Sequence, residues 1–232
     1  MKIAIMQPYI FPYIGYFQLI NAVDKFVIYD DVNYIKQGWI NRNNILINGV
    51  KSMFTIPLEG AGSNKLIYEL APKNLAYWNK NFIKTIEQNY KKAPFFSKAF
   101  DIVRTVFDSN YASISELNYC SIKSVVEYLD IKTQLIKTSR IYENKDLQSE
   151  KRVIDICLKE RAEEYINAIG GTSLYSRDNF LERGLKLCFL KSDPIVYHQS
   201  NKFCIQDLSM IDVMMFNSPA VISGYLAKYK LI

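Results

Sequence analysis

The opening stretch of about thirty residues constrains this chain most. Two short apolar runs, Lys2 to Met6 and Lys25 to Tyr29, flank a segment in which Tyr13, Tyr16, Phe17 and Ile20 recur at i, i+3, i+4 and i+7. Runs of that length and β-branched content fit buried strands, and the spacing between them paints one face of a helix. Strand, short helix and strand make a βαβ unit, whose strands should lie parallel with a right-handed crossover. The first strand should end at Gln7-Pro8, because proline lacks the N–H that a ladder needs. The helix should stop near Asp24, and the second strand at Asp30-Asp31.

The pattern returns later in the chain. Lys132 to Lys137, Tyr165 to Asn167, Leu185 to Leu190 and Ile195 to His198 read as strands, with helices at Ser149 to Glu160, capped by Ser149, and at Asp178 to Arg183. Asn44 to Ile47 and Lys51 to Ile56 flank Asn48-Gly49, the residue pair favoured in a type I′ hairpin. Helices at Tyr77 to Gln88, Phe95 to Phe107 and Ser113 to Leu129 follow, and helical stretches at Leu208 to Phe216 and Pro219 to Lys228 close the sequence. The expected fold is α/β: a mainly parallel, Rossmann-like sheet with an inserted β-hairpin and a helical middle section at about 74–130, in a single domain over residues 1–232.

Composition narrows the setting. Charged residues make up 22% and there are only 9 Gly and 7 Pro, which excludes a disordered or collagen-like chain. No apolar run approaches the roughly 18 to 20 residues that span a bilayer. The N-terminal stretch, broken by Pro8 and Pro12, has no small-residue cleavage site, so neither membrane insertion nor a signal peptide is expected. Cys120, Cys157, Cys188 and Cys204 form no C-x-x-C pair; they read as small buried hydrophobes of a reducing cytoplasm, not as disulfides or a zinc site. The net charge of +6 suits anionic ligands, but no nucleic-acid-binding motif or uninterrupted basic stripe accompanies it, so no nucleic-acid partner is expected.

In open α/β sheets ligands bind beyond the carboxyl ends of the strands. Gln7, Tyr9 and Tyr13 fall there, in a turn where Gly15 suggests close approach by another backbone or a ligand. The next strand leads into Asp30, Asp31, Tyr34, Lys36, Trp39, Asn41, Arg42 and Asn43. Arg42 can grip a phosphate bidentately and Lys36 can neutralise it as a point charge. The amides can orient a ligand, and the aromatics can stack on a base or sugar. Asp30 and Asp31 are candidate proton acceptors or magnesium ligands; the competing assignment, a helix or turn cap and an ion-pair partner for Lys36 or Arg42, is preferred, so no metal is expected at this site. Thr138-Ser139-Arg140 also falls at a strand end, as does Asn167 with Gly170, Gly171 and Tyr175, in a turn that matches no Walker or dinucleotide-binding loop. His198, the sole histidine, is either a general base or a hydrogen-bonded structural residue. Asp212, on an apolar helix, needs a partner if buried.

Long motifs in order carry a resemblance: M-Q-P-Y-x-F-P-Y-I-G-Y-F from Met6, D-x-F-V-I-Y-D-D-V from Asp24, G-W-x-N-R-N from Gly38, Y-I-N-A-I-G-G-T-S-L-Y from Tyr165 and L-S-M-I-D-V-M-M-F-N from Leu208. Through them the chain resembles the WbqC-like protein family over nearly its whole length. Where that family often has arginine or lysine before Gly38, this chain has Gln37, leaving Lys36 as the nearby cation. The resemblance implies a bacterial protein tied to gene clusters for surface polysaccharides such as the O-antigen of lipopolysaccharide. The N-terminal strand, turn and helix also look distantly similar to nucleotidyltransferase-like enzymes, including the pantothenate synthetase type that forms an amide through an acyl-adenylate. The H-x-G-H signature of that superfamily is replaced here by Gln7-Pro8-Tyr9 and Tyr13-Ile14-Gly15-Tyr16.

The expected activity is amide formation between an amino-acid or acyl donor and the amino group of a nucleotide-linked amino sugar, by a transferase or ligase. ATP and magnesium are the expected cofactors if the acyl group must be activated; zinc, haem and flavin are not expected. Lys36 and Arg42 would hold the diphosphate, Tyr9, Tyr34 and Trp39 would stack, and Gln7, Asn43 and Asn167 would orient the reacting groups. Asp30, Asp31 or His198 would take the amine proton. The alternative is a non-catalytic nucleotide-sugar-binding or scaffolding protein of the same pathway.

Overall fold

The computed structural model describes residues 1–199 and 204–232. β1 (Lys2–Met6), α1 (Ile14–Asn21) and β2 (Lys25–Ile28) form the expected unit, with β1 and β2 parallel and Ile3 opposite Lys25. β3 (Arg42–Ile47) and β4 (Val50–Thr55) pair in a separate antiparallel hairpin. Its turn residues Asn48 and Gly49 take φ of 51° and 75°, the left-handed values that a type I′ turn requires. Helices α2 (Leu75–Tyr90), α3 (Phe96–Phe107) and α4 (Ile114–Tyr128) follow, then β5 (Gln134–Ile136), α5 (Ser149–Lys159), β6 (Glu164–Ala168), α6 (Arg177–Leu181) and β7 (Lys186–Ser192). The chain ends in α7 (Met210–Phe216), α8 (Pro219–Leu226) and β8 (Tyr229–Leu231).

The main sheet runs β5-β2-β1-β6-β7-β8, parallel throughout except for β8, which is antiparallel to β7. Side chains alternate across it, so the central strands are apolar on both faces. Ala4, Phe26, Ile28, Ile166 and Leu190 join the larger core with Phe17 and Ile20 of α1, the middle helices and the hairpin. Ile3, Ile5, Val27, Tyr165 and Phe189 point the other way, onto Val153, Ile156 and Cys157 of α5 and Phe180 of α6. The strand order reverses between β1 and β6, which places the expected ligand crevice at their carboxyl ends.

Two local expectations fail. Ile195 to His198 forms no strand: β7 leaves the sheet at Asp193-Pro194, where proline cannot continue a ladder, and β8 supplies the neighbour instead. Ser149 does not cap α5. It is the first helical residue, at φ 49°, outside the extended conformation from which a cap oxygen reaches the next turn. Ser113, Ser209 and Ser218 do cap their helices, accepting N–H bonds from Glu116, Ile211 and Val221. Among the described residues no helix is long and apolar enough to cross a membrane.

Candidate functional site

The turn after β1 is a structural hub. Asn118 Nδ2 donates to the carbonyls of Pro8 (2.9 Å) and Ile40 (2.7 Å), stitching the turn to the loop before β3. Asn43 Nδ2 donates to Ile10 and Phe11 (3.0 and 2.7 Å), and Ser209 Oγ also donates to Phe11 O at 2.7 Å. Phe11 itself has φ 38°, a conformation rare for a bulky residue. These bonds draw three distant segments around Tyr9 to Tyr13. They also commit Asn43 to the protein's own backbone.

Two cavities flank Tyr13. One, of about 370 Å³, is lined by Tyr9, Pro12, Tyr13, Trp39, Lys51 and Asp207, with Asn43 and Asn44 behind them. The other, of about 320 Å³, lies at the start of α1 against Ser192, Asp193, Tyr197 and Asp207. Tyr13 and Asp207 belong to both. Trp39 is 41% exposed, with the Arg42 guanidinium 5.8 Å from its ring, so that cation stands at the rim. Arg42 also donates from Nε to Gly38 O (2.8 Å) and from Nη2 to Gln37 O. Lys51 Nζ lies 3.9 Å from the Asp207 carboxylate and donates to Gln206 O at 2.9 Å. Burial, reinforced by Tyr13, pushes the Tyr9 phenol up to about 12; burial and then Asp207 raise that of Tyr13. Both phenols therefore keep their protons near neutral pH. Gly15 is needed here because a Cβ would overlap the Tyr13 ring and come within 2.7 Å of Ser192 Oγ.

The paired acids after β2 are buried and fully engaged. Asp30 Oδ1 accepts from Thr138 Oγ1 (2.7 Å) and the Ser139 amide (3.2 Å), and Oδ2 accepts from Ser115 Oγ (2.9 Å). Asp31 accepts from Ser139 Oγ and forms an ion pair with Arg152, so its cation is neither Lys36 nor Arg42. Tyr34 is also buried: its hydroxyl donates to Asn41 Oδ1 at 2.9 Å, while Asn41 Nδ2 donates to Ile56 O at 2.7 Å. Lys36 is exposed in the loop.

Gln7 follows β1, and its carbonyl accepts from Tyr16 OH at 3.0 Å. Asn167 lies at the same end of the neighbouring β6; its Oδ1 accepts from the Ala168 amide at 2.7 Å. A Cβ on Gly171 would fall 2.6 Å from Asn167 Nδ2, so the close approach that this glycine allows is made by Asn167. Gly170 is exposed with open space around it, and Tyr175 packs edge-on against Tyr165 at 5.6 Å. Neither this group nor His198, which is exposed, lines the two cavities around Tyr13. Tyr197, the residue before His198, lines one of them.

The site therefore gathers Tyr9, Tyr13, Trp39 and Asn43 into one cleft, with Arg42 at its edge, and leaves the other sequence candidates outside it. It adds Lys51, Ser192, Asp193, Tyr197 and Asp207, which sequence reasoning did not select for binding. A family model described as the WbqC-like protein family matches residues 7–223, a span that contains every one of these side chains. The chain belongs to the WbqC-like protein family. It is also 30% identical over 193 residues, 83% of each chain, to a Mycobacterium tuberculosis protein described as "Uncharacterized protein Rv1507c". No solved structure matches this WbqC-like chain.

Proposed function

We propose that this WbqC-like protein is an enzyme of O-antigen or related surface-polysaccharide synthesis that joins an acyl or aminoacyl group to the amine of a nucleotide-linked amino sugar. The observation that supports this reading is the pair of cavities meeting at Tyr13 and Asp207. Two compartments with a shared wall would bring the two reactants of a condensation together there. The cavity walled by Tyr9 and Trp39 suits the rings of the nucleotide sugar, whose phosphates Arg42 and Lys51 would neutralise from the rim. The cavity at the start of α1 suits the smaller donor.

The chemistry follows from the junction. The amine nitrogen attacks the activated acyl carbon, a C–N bond forms, and the leaving group departs with its bonding pair. Asp207 takes the proton that the amine loses, and the protonated phenol of Tyr13 donates to the developing oxyanion. Asp207 thus assumes the role expected of Asp30, Asp31 or His198. ATP would serve as the activating reagent for a free-acid donor. Asp30 and Asp31 do not fit as magnesium ligands, because every carboxylate oxygen already accepts a bond from the protein, and no step is routed through that ion.

The test is to incubate the protein with amino-sugar nucleotides and acyl or aminoacyl donors, with and without ATP, and to read the added mass by mass spectrometry. Wild type should yield the amide and Asp207→Asn should lose at least a hundredfold in rate. The internal engagement of Asp30 and Asp31 favours a second reading, a non-catalytic nucleotide-sugar-binding or scaffolding protein. Tight binding without turnover would select it.

A further inference from the structure

Beyond β2 and β5 the structure holds a cation cluster that the Tyr13 cleft does not use. The Arg140 guanidinium stands 4.6 Å from the centre of the Tyr68 ring, and Lys145 Nζ lies 5.4 Å from the same ring. Arg140 Nε donates to Thr138 Oγ1 at 3.0 Å, and that hydroxyl donates in turn to Asp30 Oδ1 at 2.7 Å. The buried carboxylate therefore aims the guanidinium through a hydroxyl. Lys137 is neutralised by Glu116 at 3.2 Å, but among the described residues no carboxylate pairs with Arg140 or Lys145. Both terminal nitrogens of Arg140 are left with donors to give.

Tyr68, Thr138 and Arg140 border a cavity of about 130 Å³ that Lys137 and two carboxylates, Asp30 and Glu116, also line. Glu116 is paired with Lys137, and Asp30 accepts from Ser115, Thr138 and the Ser139 amide, which leaves Arg140 as the cation of this cavity without a carboxylate partner among the described residues. A single water needs about 10–15 Å³ by such a measure, so the space has room for a phosphate group. A planar guanidinium fixed by stacking and by one Nε bond, its terminal nitrogens without a partner among the described residues, matches two oxygens of a phosphate.

We infer that this cavity binds a phosphate group of a small ligand, at a site separate from the Tyr13 cleft and independent of the function proposed for it. The test is calorimetric titration of the full chain with inorganic phosphate at constant ionic strength, with chloride as the control anion. Saturable binding is expected, weakened at least tenfold by Arg140→Ala, only partly restored by Arg140→Lys, and unchanged by Lys98→Ala at an exposed lysine of α3. Urea unfolding of each variant, with a midpoint matching wild type, shows that the fold is intact. Absence of phosphate binding in wild type, or equal affinity in Arg140→Ala, would overturn the assignment. So would Arg140-dependent binding of a single-stranded oligonucleotide with a steep salt dependence, in the absence of phosphate binding, which would assign the cluster to nucleic acid.

Discussion

The Asp31 carboxylate meets the Arg152 guanidinium with both side chains out of water, 1% and 5% exposed, across 121 residues of sequence. The guanidinium also donates from Nη1 to Asp31 O at 3.0 Å and from Nε to Asn144 Oδ1 at 2.9 Å, and it lies 5.1 Å from the Tyr29 ring. This knot fastens α5 to the end of β2. It fixes the turn whose neighbouring residue, Asp30, lines the Arg140 cavity.

Removing one partner of a buried pair strands the other charge. Arg152→Ala should cost about 3–5 kcal/mol, read as a lowered urea midpoint. The double variant Asp31→Asn/Arg152→Met should lose less than Arg152→Ala, because it leaves no unpaired charge. A loss under about 1 kcal/mol for Arg152→Ala would match an exposed pair and contradict the burial.

Gly15 lies inside α1, where alanine ordinarily stabilises by about 1 kcal/mol. Here the sign should reverse. The added methyl meets the Tyr13 ring and Ser192 Oγ, and overpacking of this kind costs about 1–3 kcal/mol. Thermal melting of Gly15→Ala should show a lower midpoint than wild type.

Asp212 is fully buried, accepting from Tyr90 OH (2.8 Å), Tyr197 OH (2.6 Å) and Gln199 Nε2 (3.2 Å), with no cation among them. Burial raises its carboxyl above the ordinary value, and the three hydrogen bonds only partly offset this. The folded state therefore holds the proton more tightly than the unfolded chain. The resulting stability is present below the ordinary carboxyl range near pH 4 and is lost as pH rises through the raised folded value. The unfolding free energy of wild type minus that of Asp212→Asn should fall with rising pH across that window. A flat difference would show that the carboxyl is not raised.

What could be read from the sequence was what short-range pattern encodes. The β1-α1-β2 unit follows from local spacing, and the hairpin from Asn48-Gly49, whose positive φ only a few residues tolerate. β8 escaped because three residues carry no periodicity and are placed by pairing with β7. Asp30 and Asp31 looked like catalytic acids because their partners, Ser115, Ser139 and Arg152, lie far along the chain. Asn43 looked like a ligand group because nothing local shows that Ile10 and Phe11 present their carbonyls to it. Asp207, an exposed loop residue at φ 57°, gains its interest only from the cavities that converge on it.

The cleft around Tyr13 as the substrate site is the central claim, and Trp39 on its rim reports on it directly. Tryptophan emission followed during titration with a panel of nucleotide-linked amino sugars should change saturably with at least one of them, and Trp39→Phe should abolish the change. Saturable binding detected by calorimetry while the Trp39 emission stays constant would put the substrate elsewhere and contradict the claim.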